Sequence, residues 1–489
     1  MAKDVIVVVQ RDALPSQRET LDILLVSTTG AYPVAVYRDV ASVEAVFGDS
    51  GASPNAKIVR KATTLFNQGK TTLADYLVDK IKIVGLAAPS PTAARSATYV
   101  ITFAAGALTA NIAEGVKVYV KIGSDANAVI ELTTTAEVRT GAALAALFNG
   151  KSFTKGGKTY TASTTDSVVT FTATVAGAAD TIPNTVNIYS DEAMTAELEI
   201  EQSAVFTNGI NAASAADNFI DAIKQFQADV DNDWYLLLTD RDEPDFVKAL
   251  AKFAEASEPS EAELGAGVED HRKFYMGQTT DKNFAQITSR AAVIYTDAPS
   301  EEADASYVGN VAPFYPNSVT WKFKRPQDGN ATTTKLITLP VLTEGERNQL
   351  LENHVNFLTE EYKRQYVKDG TCLDGEFIDV VLGADWIAKR MRDLLYDILL
   401  TNPNIDYDDA GFGLVSTAVI QALAEAVDLN IVARDPESRN GVFTVNIPKY
   451  EDSTEEQRRN RVMPDITWEA LLAGAIHQVK SKGALRATL

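Results

Sequence analysis

The sequence predicts a multi-domain chain of mixed α/β (α+β) class, and three observations carry that prediction. Short apolar runs without polar alternation, such as VIVVV at residues 5–9 and LDILLVST at 21–28, have the β-branched content of strands covered on both faces. Between such runs lie segments with apolar residues at helical spacing, such as PNAKIVRKATTLF, where Ile58, Ala62 and Leu65 share one side. From about residue 90 to 209 the composition shifts to Thr, Val and Ala punctuated by Gly, which reads as an inserted β-rich module.

Taken in order, the first apolar ribbon is followed by a linker at Pro15, then by the strand at 21–28 and helices at VASVEAVFGDS and 54–70. KIKIVG closes this part as a strand. Within the insertion ATYVITFA, VKVYVKIG, VVTFTATV and TVNIYS read as strands and TGAALAALFNG as a helix. Helices return at ADNFIDAIKQFQADV and EPDFVKALAKFAEA, alternating with the strands WYLLLTD, KFYMGQ and AAVIYTD. The last third predicts one helix over EGERNQLLENHVNFLTEEY and others over ADWIAKRMRDLLYDILL and GLVSTAVIQALAEAV. GVFTVNIP then reads as a strand, and TWEALLAGAIHQV as a closing helix. The boundaries that follow are 1–20, 21–89, 90–209, 210–317, 318–479 and 480–489.

Composition excludes several classes. The chain has 489 residues and a formal charge of −21, which argues against a general nucleic-acid binder. A single cysteine, Cys372, removes an intramolecular disulfide framework and multi-thiolate metal sites. The ribbon of Val5, Ile6, Val7, Val8 and Val9 is too short for the apolar core of an export signal, and no window is expected to cross a membrane.

Motifs for catalysis are weak. GDSG at 48–51 copies a serine-protease signature, but His271, His354 and His477 all follow Ser50, where that chemistry needs its base upstream. The acidic cluster of Asp231, Asp233, Asp240, Asp242, Glu243 and Asp245 lacks EF-hand spacing and reads as solvated loops flanking a strand. No phosphate loop or dinucleotide fingerprint is present. The expectation is no catalytic residue, no cofactor and no metal.

The end of the chain carries the family signal. Phe377 with Asp379, Asp385 with Trp386, NPNIDYDDAG at 402–411, the entry at Arg461–Pro464 and LAGAIH at 472–477 resemble the tail sheath subunits of contractile bacteriophages. VASVEAVFG, LFNQGK and SVTWKFK upstream are also similar to these proteins. The resemblance implies a virion protein assembled in the host cytoplasm. It implies stacked hexameric rings around an inner tail tube, contraction that drives the tube through the host envelope, and contacts with tube, baseplate and terminator proteins. It further implies a lattice-forming core flanking the insertion, and no nucleic acid or membrane insertion for this subunit. Terminal arms would exchange strands between subunits: Val5, Ile6, Val7, Val8 and Val9 at one end, Ala484, Leu485, Arg486, Ala487 and Thr488 at the other, with hinges at Pro15 and Gly483. The basic residues Arg458, Arg459, Arg461, Lys480 and Lys482 are candidate tube contacts. Rival readings are a tube or baseplate protein of the same machine, and a serine hydrolase resting on GDSG alone.

Overall fold

A computed structural model describes residues 20–48, 51, 55–68, 77–87, 90–123, 127–209, 211–260, 271–330 and 335–477. Both strand-exchange arms, Pro15, Gly483, Lys480, Lys482 and Ser50 lie outside the described residues. Two compact units are present, Met1–Ala88 with Ala222–Leu489, and Pro89–Asp221.

The chain lays down β1 (Ile23–Ser27), β2 (Tyr32–Tyr37), α1 (Val40–Phe47), α2 (Ala56–Phe66) and β3 (Ile81–Gly85). The inserted unit follows with β4 (Thr98–Phe103), β5 (Ala107–Ile112), β6 (Lys117–Ile122), β7 (Ile130–Thr133), β8 (Val138–Thr140) and α3 (Gly141–Leu147). It continues through β9 (Ser152–Lys155), β10 (Lys158–Thr165), β11 (Val168–Ala173), β12 (Val186–Tyr189) and β13 (Gln202–Thr207). The helix α4 (Ala215–Asp229) leads back to β14 (Leu236–Thr239), α5 (Pro244–Ala256), β15 (Phe274–Thr279), β16 (Ala291–Tyr295) and α6 (Ala303–Val311). Next come α7 (Glu344–Glu352), β17 (Asn356–Glu361), β18 (Arg364–Val367), α8 (Ile378–Thr401) and α9 (Asp409–Asp428). The described chain ends with β19 (Phe443–Asn446), α10 (Glu455–Asn460) and β20 (Thr467–Ala470).

The α/β unit is built on an eight-stranded sheet in the order β18-β17-β16-β15-β14-β1-β3-β2. Its six inner strands run parallel, and β2 and β18 close the two edges antiparallel. Every residue of β1, β14, β15 and β16 is buried, as continuous apolar runs in a two-sided parallel sheet require. Ile23, Leu25, Ile83, Leu238 and Ile294 share one core with Ile58, Ala62 and Leu65 of α2. The strands β16 and β17, on either side of the boundary drawn at residue 317, are hydrogen-bonded neighbours in this sheet.

Two expectations need correction. The helix expected over 344–362 stops at Glu352; His354 adopts φ +55°, and NFLTEE becomes β17 because its buried Asn356, Phe357 and Leu358 complete the sheet. The closing helix is absent as well: Thr467–Ala470 pairs antiparallel with β19, tertiary pairing prevailing over local helical spacing.

The inserted unit consists of a five-stranded sheet, β13-β4-β11-β10-β9, a three-stranded sheet, β12-β6-β7, and the pair β5-β8. Its interior joins Tyr99, Ile101, Val120, Phe153, Tyr160 and Phe171. The Phe153 and Phe171 rings meet edge to face at 5.0 Å, a favoured aromatic geometry.

Candidate functional site

In doubly wound sheets ligands settle at the carboxyl ends of the strands where chain order reverses, here between β1 and β14. An ion network occupies that place. Asp240, after β14, accepts from the backbone N–H of Thr28 at 2.8 Å and from its hydroxyl at 3.0 Å. Lys61 of α2 is fully buried and donates to both oxygens of Asp304 at 2.5 Å, with Glu302 at 3.4 Å and Asp242 at 3.8 Å. Asp242 also takes Lys57 at 2.5 Å, and Glu302 takes Arg60 at 2.9 Å.

Burial pushes the Asp240, Glu302 and Asp304 carboxyls above the usual range, while Lys61 holds Glu302 and Asp304 down. At Lys61 desolvation is outweighed by Asp304, Asp242 and Glu302, which hold its ammonium above its ordinary value. Each cation is therefore matched by a carboxylate, an arrangement that pins α2 and α6 to the sheet. The acidic cluster expected to be solvated is thus divided: Asp240 and Asp242 enter this network, whereas Asp231, before β14, pairs with Lys82 at 2.8 Å.

A second cluster lies at the opposite ends of the strands. Asp385 of α8 accepts from the guanidinium of Arg290, from Arg272 at 3.4 Å and from the Tyr235 hydroxyl. This explains the buried Asp385 in the family-like block: one carboxylate fastens α8 to the starts of β14, β15 and β16. An adjoining cleft of about 230 Å3 is lined in part by Asp22, Trp234, Lys273, Asp385, Lys389 and Arg392. Burial lowers the Lys273 ammonium to about 7. Its nitrogen donates to the backbone oxygens of Asn232 and Trp234 and lies 4.1 Å from the Trp234 ring centre. Cys372 is buried, and that burial holds its thiol well above its ordinary range, which suppresses thiolate chemistry. Among the described residues, no His, Cys, Asp and Glu come together in a group able to hold a metal ion.

The remaining family-like blocks build a helical pair and a small sheet. Trp386, Met391 and Leu394 of α8 pack on Val419, Leu423 and Val427 of α9. Asp408 caps α9 by accepting from the Gly411 N–H at 2.9 Å. Gly411 cannot carry a side chain, since a Cβ there would fall 1.9 Å from the Asp406 carbonyl oxygen. By length and composition α9 meets the criterion for a membrane span, contrary to the sequence expectation, but half of that window is buried inside the fold. Phe443, Val445, Ile466 and Ala470 rest against the same helical core, which seats β19 and β20.

Arg458 of α10 turns back on its own loop, donating to the Ser453 hydroxyl at 3.0 Å and lying over the Tyr450 ring. Arg461 ends α10 in the left-handed region at φ +56°. Arg459 is exposed in the last turn of the same helix. Sequence reasoning placed these arginines together but missed the inward use of Arg458, which depends on Tyr450 and Ser453 folding back beneath it. It also missed Lys61, whose partner Asp304 lies 243 residues away with no local signal.

No family model matches the chain, and no curated protein does. Among solved structures the chain is similar to the sheath tail protein of Desulfitobacterium hafniense, at 10% identity and a TM-score of 0.39. That match covers 88% of this chain and 90% of the other.

Proposed function

We propose that this chain is a non-catalytic structural subunit of a contractile tail sheath, polymerising as stacked hexameric rings around an inner tube and contracting to drive that tube through a cell envelope. The reading starts from the family-like blocks in the sequence, and the observation that carries it furthest is the β19–β20 sheet. It has only two strands among the described residues, a size marginal in water without further strands or packing. One face is fastened to α9, while Trp468, Leu471, Leu472 and Ile476 remain 41%, 59%, 47% and 77% exposed in the single chain. The backbone at Leu471–Ala473 already pairs with Ile431–Ala433, so it is the edges of β19 and β20 themselves, beside exposed apolar residues, that suit strands donated by other copies. Each backbone bond so gained is worth about 0.5–1.5 kcal/mol net, so several per arm, repeated along a cylinder, make a firm mesh.

In this reading the residues at 5–9 and 484–488 supply the donated strands and Arg459 remains a candidate tube contact. The described chain then acts as acceptor and spacer, in a virion tail. Electron microscopy of purified full-length protein is expected to reveal rings or hollow cylinders. Deletion of 1–19 and 478–489, or Val445→Pro in β19, is expected to leave folded monomers. Full-length cylinders from the doubly trimmed chain would overturn the proposal.

A further inference from the structure

Three stretches singled out in the sequence, SVTWKFK at 318–324, the block at Phe377 and LAGAIH at 472–477, converge on His477, the last described residue. The Ala473 N–H donates to the Ile431 carbonyl oxygen at 2.9 Å, after which the chain leaves the small sheet through exposed Gly474, Ala475 and Ile476. His477 then meets the α/β core. Its Nε2 lies 2.8 Å from the Thr320 hydroxyl, its ring stands perpendicular to that of Phe377 at 4.6 Å, and the Phe323 ring lies 6.4 Å away. Phe377 caps the start of α8. Phe323 sits against the sheet edge, its N–H donating to the Val367 carbonyl oxygen at 3.1 Å while the Val367 N–H donates to the Lys324 carbonyl oxygen at 2.8 Å. These two bonds hold Phe323 at φ +64°, a region that bulky residues rarely occupy. The ring stays 45% exposed, so its own burial does not account for the strain; what the conformation achieves is to bring the ring to His477 and Tyr366.

We propose that Thr320, Phe323 and Phe377 form a latch for His477, which fastens the root of the C-terminal segment, residues 478–489, to the α/β core and not to the small sheet that the chain has just left. What the latch is for rests on the sheath reading. A strand donated by residues 484–488 then starts from a fixed point, which raises its effective concentration at a neighbouring acceptor and lowers the ordering cost of docking. The latch also responds to acid. Burial and the Lys322 ammonium hold the His477 imidazole below its ordinary value, outweighing Asp379 of α8 and Asp369 after β18. Lys322 is itself 3.4 Å from Asp369, and Glu361 and Lys368, which line the same cleft, are paired with each other at 2.7 Å. The docked state therefore favours the neutral ring: the latch is fully closed above the ordinary histidine value and weakens as pH falls through the docked one.

Limited digestion of dilute full-length protein by proteinase K reads the latch, scored by mass spectrometry as cuts after residue 477 and normalised to a free peptide of residues 474–489. Cutting there follows the population of the open latch, and His477→Ala is expected to speed it at least about tenfold at pH 8, with circular dichroism unchanged. His477→Phe keeps the ring contacts and removes the charge. It is expected to be cut at close to the wild-type rate at pH 8 and to stay there at pH 5, whereas wild type is cut faster at pH 5. Equal cutting of wild type and the alanine variant would overturn the latch, and an equal acid response of wild type and the phenylalanine variant would overturn its control by His477. Electron microscopy separates these results from the sheath reading. A wild type that is protected from digestion yet forms no cylinders counts against the sheath alone, whereas cylinders built as fast by the alanine variant as by wild type would overturn the latch's part in assembly.

Discussion

Buried polar chemistry differs sharply between the two compact units. In the α/β unit Lys61, Glu302, Asp304, Lys273 and Arg290 lie inside, each within reach of a compensating group. In the inserted unit the buried polar side chains among the described residues are uncharged, those of Thr134, Ser167 and tyrosines such as Tyr99 and Tyr160, and aromatic packing does the rest. A layered parallel sheet needs its helices fixed at both strand ends, where backbone groups and loops converge, and charge networks supply direction that apolar contact lacks. A small antiparallel unit sets its own register through hairpins and cross-strand pairs and can do without ions.

The most severe way to break this contrast is Lys61→Ala. It leaves Asp304 and Glu302 buried without their ammonium and is expected to destabilise the α/β unit by about 3–5 kcal/mol. Tryptophan fluorescence during urea unfolding reads that unit selectively, because Trp234, Trp321, Trp386 and Trp468 all lie outside Pro89–Asp221. An unchanged midpoint would show the network to be dispensable. Next in size is the pH dependence set by Lys273, lowered from 10.5 to about 7 by burial. Between those values the unfolded chain binds the extra proton, so stability rises with pH, at up to about 1 kcal/mol per pH unit. Lys273→Met is expected to flatten that slope, measured as urea midpoints from pH 7 to 10.

In the inserted unit, Ile101→Val removes one buried methyl and is expected to cost about 0.5–1.5 kcal/mol. The loss should be seen by circular dichroism, with the fluorescence midpoint unmoved; a shift in both signals would mean that the units unfold together. The smallest effect belongs to Glu346, whose carboxyl is lowered from 4.5 to about 2 by bonds from Lys282 and from Thr343 in the α7 capping box. Its contribution is present above pH 4.5 and fades as pH falls toward 2. Glu346→Gln is expected to remove that part of the acid limb from fluorescence-detected acid unfolding.

Local pattern carried a good deal of the fold. The runs at β1, β14, β15 and β16 announce strands covered on both faces, since such strands have no solvent side to alternate with, and their spacing between helices announces an α/β layer. The α8 and α9 stripes announce a helical pair through their 3.6-residue period. Where pattern misled, the local signal was shared by two outcomes. TWEALLAGAI has helical spacing but meets β19, and NFLTEE follows a helix without a Pro or Gly to mark the change.

The sequence by itself determined the α/β class, the β-rich character of the insertion and the family-like blocks at the end of the chain, because these depend on composition and short periods. The tertiary structure decided which strands neighbour one another, that Asp385 fastens three strand starts, and that Lys61 finds Asp304. Such pairings join residues far apart in the chain, and only register and packing bring them within the few ångströms over which hydrogen bonds and buried charges act.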